Sequence, residues 1–295
     1  MIDTDEIVVN AFTDVCPCGS GRLLINCCVT SRFNTIPPTP KTNFANPKCY
    51  ARSLNDCSEK MSVEHFISKS VMKIFWDSKE HIILEGPTWL TGEENRQVSV
   101  NSLGSKVLCE RHNKALSNID EIGKLFFQYI LAENVQSQFL MINGGELERW
   151  LLKVLCGYIA SGNLLSDLKQ WQPPNHWLRI LFGNDVIPNG SGLYVLRGKD
   201  ISTPFKQIKI WAIESNQKDI FNGLLFIIAG FQFLFFIDSL RRDIPMGITN
   251  SGWQMRYRPE CLVIIHKGKQ REIHFGPPPR GGYVVIKIES PKRRQ

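Results

Sequence analysis

The chain has no apolar run long enough to cross a bilayer. Its longest, Leu224 to Ile237, spans fourteen residues and is interrupted by Gly230 and Gln232. A membrane helix needs about twenty, so two adjacent core strands explain the run better. The opening MIDTDEIVVN is acidic and lacks the positive, then apolar, pattern of a secretory leader. The expectation is a cytoplasmic protein with no membrane partner. Histidine is scarce, at six in 295 residues. His81, His176, His266 and His274 have no partner at metal-ligand spacing, which leaves His65 and His112 to carry chemistry. Residues 136–295 show no catalytic constellation. Charged residues make up only 21% of the chain against 43% hydrophobic, a balance that excludes wholesale disorder.

Basic charge is present but uneven. The formal net charge is +7, and eight Lys or Arg stand against Glu272 and Glu289 within residues 266–295. Such a tail suits phosphates or anionic surfaces, or serves only as a solvated terminus. The nine cysteines, in a chain expected to be cytoplasmic, point to metal sites or buried thiols rather than disulfides.

Four of them form C-x-C-x8-C-C: Cys16, Cys18, Cys27 and Cys28, in CPCGSGRLLINCC. Thiolates so close in sequence can close a tetrahedron around one zinc ion, and Gly19 and Gly21 permit the tight turns between them. The segment is too short for a core, so the metal would supply most of its folding energy. The string resembles the SEC-C zinc-binding motif in all four cysteines and in the CGSG turn. That resemblance implies a structural zinc and a small adaptor for protein or nucleic acid. A closed four-thiolate site leaves no position for substrate.

Residues 31–48, rich in Pro, Thr and Asn, read as an extended linker. Beyond them lie Cys49 and Cys57, then Glu64–His65 in SVEHFIS, then C-x-x-H-N at Cys109, His112 and Asn113. The residues after Val107 and Leu108 carry helical spacing, so Cys109 and His112 sit one turn apart and can grip one ion. Cys49 and Cys57 would complete a Cys3His zinc site.

A strand bearing Glu-His, followed by a helix bearing Asn, resembles the HNH, or ββα-metal, nucleases over residues 49–120. The resemblance implies that His65 is the general base and that Glu64 and Asn113 hold Mg²⁺ or Mn²⁺ for phosphodiester hydrolysis. The departures are His112 where a cysteine is usual, the long C-x7-C spacing, and no clear middle Asn; Asn95 and Asn101 are the candidates. The expected fold class is α+β. A zinc module (1–30) and the linker precede an HNH-like domain (49–135). A helical connector and a mostly antiparallel β-rich region follow (136–295). Nucleic acid, DNA first, is the expected partner, with a protein partner open to the zinc module or the β region. A non-catalytic zinc protein that binds nucleic acid or protein is the alternative.

Overall fold

The computed structural model describes residues 34–75, 81–87, 96–131, 139–162, 171–183, 185–188, 191–197, 207–214, 220–228, 231–237, 254–257, 261–266, 269–276 and 286–289. Cys16, Cys18, Cys27 and Cys28 therefore lie outside the described residues, as does Asn95.

The fold is mixed α+β. Its elements in order are β1 (Met61–His65), α1 (Lys69–Met72), β2 (His81–Glu85), β3 (Arg96–Ser99), β4 (Gly104–Cys109), α2 (Glu110–Leu116), α3 (Asp120–Leu131), β5 (Phe139–Asn143), α4 (Gly144–Ala160), α5 (Asn175–Phe182), β6 (Gly192–Arg197), β7 (Gln207–Glu214), β8 (Phe221–Ile228), β9 (Phe231–Phe236), β10 (Gln254–Tyr257), β11 (Cys261–His266), β12 (Lys269–Gly276) and β13 (Ile286–Glu289). The strands form three sheets. β1 and β4 make an antiparallel pair, seven strands run in the order β10-β6-β9-β8-β7-β2-β3, and four run β13-β11-β12-β5. Most neighbours are antiparallel; β2–β7, β11–β13 and β12–β5 are parallel.

The apolar run at 224–237 becomes β8 and β9, paired antiparallel from Gly223↔Phe236 to Ile228↔Phe231. Among its described side chains all but half-buried Leu225 are buried, which is why it reads as continuous rather than alternating. β2 and β3 fall within residues 49–135, yet they extend the sheet formed by strands beyond residue 190. The sheet thus crosses the expected boundary at 135, and one buried cluster runs from Cys49 to Ile273.

α4 is the central helix. Asn143 caps it by accepting a hydrogen bond from the Glu146 amide at 3.1 Å. Residues 146–160 are all buried. The helix packs on α3, where Gly123 allows close approach: an added Cβ would lie 2.4 Å from the Trp150 ring. Trp150, Phe127 and Phe226 form a cluster of edge-on and tilted rings beside it. No helix among the described residues is long and apolar enough to cross a membrane.

Residues 34–48 contain no helix or strand but bends, a turn at 47–48 and left-handed Asn43 at φ 53°, and they are tied down. Arg111 donates to the Pro38 and Pro40 carbonyls, Asn118 donates to the Asn34 carbonyl, and buried Thr35 bonds Arg149.

Candidate metal centre and the β1–β4–α2 unit

β4 and α2 meet at Cys109, the residue preceding the first turn of the helix. His112, one turn on, places its Nδ1 3.2 Å from Cys109 Sγ, 3.6 Å from Cys49 Sγ and 3.8 Å from Cys57 Sγ. All four ligand atoms lie within 4.8 Å of one another, and all four residues are buried. A tetrahedron with Zn–S of about 2.3 Å and Zn–N of about 2.0 Å has S···N edges of ~3.5 Å. The donor set and spacing therefore fit a closed structural zinc site.

The first half of the site, with its long C-x7-C spacing, is held by local chemistry. Cys49 N donates to the Asn46 carbonyl, and Cys57 N donates to the Phe44 carbonyl. Asn46 bonds the Ser58 and Glu59 carbonyls through its amide. A short 3₁₀ turn, Arg52–Leu54, ends at Asn55 with φ 52°, a left-handed conformation that Asn tolerates. Tyr50 N pairs with the Val107 carbonyl, which pins this loop to β4. Arg111 joins the same loop through a 3.0 Å ion pair with buried Asp56.

Electrostatics suit a thiolate site. Hydrogen bonds from Cys49 and Cys57 lower the Cys109 thiol below its ordinary value. Those bonds to Cys109, together with burial, raise Cys49 and Cys57. Three thiols so close cannot all ionise without a cation, so a divalent metal would remove the conflict. Backbone amides add support: Ser58 N lies 3.4 Å from Cys109 Sγ, and Cys109 N lies 3.5 Å from Cys49 Sγ. The His112 ring packs against Phe182 in a tilted arrangement, with centroids 4.7 Å apart.

The three residues expected to do chemistry take separate positions. β1 and β4 pair with Glu64 opposite Ser105 and His65 opposite Gly104. Neighbouring strand residues point to opposite faces. His65 lies over Gly104, where an added Cβ would meet the imidazole at 3.1 Å and Val63 at 2.6 Å. Glu64 faces α4 instead. It is 6% exposed, and its Oε1 lies 2.8 Å from Lys153 Nζ. The same ammonium sits 2.7 Å from both carboxylate oxygens of Asp120. Asn113 is half-buried, and its amide donates to Ser62 Oγ at 2.8 Å.

Two carboxylates thus share one ammonium that is itself 2% exposed. Burial works against the Lys153 charge, but Glu64 and Asp120 outweigh it and hold its pKa above the ordinary value. Burial raises both carboxyls in turn, against the pull of Lys153. A hard divalent ion needs carboxylate oxygens and room for several waters. Here Glu64 Oε1 is engaged by Lys153 and the Asn113 amide nitrogen by Ser62.

His65 is arranged differently. Its ring bonds the Val100 backbone carbonyl, while burial and the charges of Lys69 and Lys153 lower its pKa to about 4. Nε2 is buried and has no hydrogen-bond partner. Asn101, the next residue, accepts a 2.8 Å hydrogen bond from Lys69.

Lys153 and Asp120 escaped the sequence reading. One signal was available: Lys153 is the only charge between Trp150 and Ala160, in a helix otherwise apolar there. A lone lysine at such a position needs a buried carboxylate partner.

No protein-family model matches the chain, and no solved structure matches it. Among curated proteins, a histidine–tRNA ligase of Mycoplasmoides gallisepticum (strain R(low / passage 15 / clone 2)) is 31% identical over 122 residues. The match covers 35% of this chain and 28% of that ligase. The chain therefore spans just over a quarter of the length of this curated relative, and the likeness assigns neither a family nor an activity.

Proposed function

We propose that this chain is a zinc-stabilised nucleic-acid-binding protein whose β1–β4–α2 unit resembles an HNH nuclease but binds without metal-dependent cutting. The observation that carries the reading is Lys153. Its ammonium takes the carboxylate that the resemblance assigns to the catalytic ion, and that carboxylate is buried. Zinc at Cys49, Cys57, Cys109 and His112 would clip the loop before β1 to the start of α2. It would act as a structural element without an open coordination position. Net positive charge and the basic stretch 266–295 favour a polyanionic partner.

A second reading, HNH-type hydrolysis with His65 as base, is favoured by one arrangement. Burial and two lysines lower its pKa to about 4, which favours the neutral ring, and its buried Nε2 has no hydrogen-bond partner. That is the state a general base requires. The experiment that separates the two combines a filter-binding assay with plasmid and RNA cleavage in Mg²⁺ or Mn²⁺. The binding reading expects retention of nucleic acid with no metal-stimulated cleavage. Cleavage by wild type that disappears in His65→Ala would overturn it in favour of the nuclease.

A further inference from the structure

A cavity among the described residues lies outside these roles. It has a volume of ≈370 Å³ and lies against the zinc clip, with Cys49 and Val107 in its wall. Lys48, Arg52 and Lys106 line it, and no carboxylate does. Lys48 and Lys106 are exposed and Arg52 is half-buried. The Arg52 guanidinium is held by the Pro47 carbonyl at 2.7 Å and lies against the Gln172 side chain. Trp171 lines another side. Its indole is fixed by Trp177 and Phe221, at centroid separations of 5.9 and 6.3 Å.

Tyr50 lines this cavity, is 3% exposed, and its hydroxyl has no hydrogen-bond partner. A buried hydroxyl left unpaired costs about 1–3 kcal/mol.

We propose that this cavity binds one nucleotide unit of a single-stranded nucleic acid. The phosphate meets Lys48, Arg52 and Lys106, and the base meets Trp171 and the Gln172 amide. Three cations without a carboxylate select an anion. An anchored indole selects a flat ring, and base–aromatic stacking is worth about 1–3 kcal/mol per base. The volume falls at the small end of ligand pockets, about 300–1,000 Å³, so it suits one unit of a strand and excludes a duplex. This proposal rests on the nucleic-acid reading above and locates it. The cavity wall includes Cys49, so loss of zinc would also disorder the site.

The test is fluorescence anisotropy of the full chain with fluorescein-labelled single-stranded 15-mers of DNA and RNA at ~0.1 M salt. AMP and inorganic phosphate serve as competitors. The double variant Lys48→Glu/Lys106→Glu changes only exposed side chains, and its zinc content and melting curve report whether it is folded. Trp171→Phe keeps an aromatic ring and serves as a milder second variant. The expected result is at least tenfold weaker binding by the double variant, with a flatter salt dependence. Trp171→Phe should show a smaller loss. Displacement of the strand by AMP, but not by phosphate at equal concentration, supports the nucleotide assignment. Displacement equally by phosphate would overturn the base contact. A folded double variant that binds as wild type does would overturn the cavity while leaving nucleic-acid binding intact. Wild type that binds neither strand would overturn the broader reading itself.

Discussion

Replacing Lys153 with Met removes the ammonium and keeps the volume of its stem. Glu64, 6% exposed, and Asp120, with 16% of its side chain exposed, would then face each other without a cation. Removing one member of a buried ion pair costs about 3–5 kcal/mol, because a charge is left unpaired. Asp120 keeps some contact with water, so the lower end applies, at ~3 kcal/mol. With a urea m-value of about 2 kcal/mol/M, the unfolding midpoint should fall by ~1.5 M. The assay is urea unfolding followed by tryptophan fluorescence. The deficit should also depend on pH. Without Lys153, the folded-state pKa of Glu64 rises further above its unfolded value. Its protonated form is then compatible with the core, and the penalty is absent below the unfolded pKa. The penalty grows as pH rises through the folded pKa. Lys153→Met should therefore approach wild-type stability near pH 4 and fall furthest behind near pH 8. Combining Lys153→Met with Glu64→Met and Asp120→Asn should recover most of the loss, since no unpaired charge remains. A loss below ~1 kcal/mol at pH 8, or one that does not change with pH, would refute the buried-triad account.

Two further outcomes follow from the same geometry. His112→Ala should lower the zinc content by one equivalent in plasma mass spectrometry. It should also raise hydrogen exchange across residues 49–58, because structural zinc contributes on the order of 10 kcal/mol to such folds. His65 has its pKa lowered to about 4 by burial and two lysines, so the folded state prefers the neutral ring. Its stabilising contribution is complete above the ordinary value near 6.5 and is lost as pH falls toward 4. The full displacement corresponds to ~3 kcal/mol, reduced to ~1–2 kcal/mol because the ring is only partly buried. Wild type should lose that much more stability than His65→Asn between pH 7.5 and pH 4.5, as read by thermal unfolding at each pH.

The Cys3His cluster was legible in the sequence. Cys109 and His112 announce themselves by one-turn spacing, and Cys49 and Cys57 are the pair that completes a Cys3His set. The 3₁₀ turn at Arg52–Leu54 and left-handed Asn55 explain why seven intervening residues still close the site. Short, strongly β-branched or aromatic runs such as 224–237 were also legible, since their length and composition exclude long helices. β3, β4 and β5 were not. Arg96–Ser99 and Gly104–Lys106 are largely polar and pair only because β2 and β1 lie beside them. The placement of Glu64 was hidden for a similar reason. Its adjacency to His65 suggested a shared site, whereas strand geometry sends the two side chains to opposite faces. Lys153, nearly ninety residues downstream, decides what Glu64 meets, and no local pattern encodes that contact.

The most direct measurement is a Mn²⁺ titration of the zinc-loaded chain, followed by the electron paramagnetic resonance signal of free Mn²⁺. With Lys153 holding Glu64, wild type should leave that signal unchanged up to an equimolar addition at ~50 μM, in keeping with a site that presents no open carboxylate. Stoichiometric loss of the free signal in wild type, restored by Glu64→Gln, would place a divalent ion at Glu64 and contradict the account.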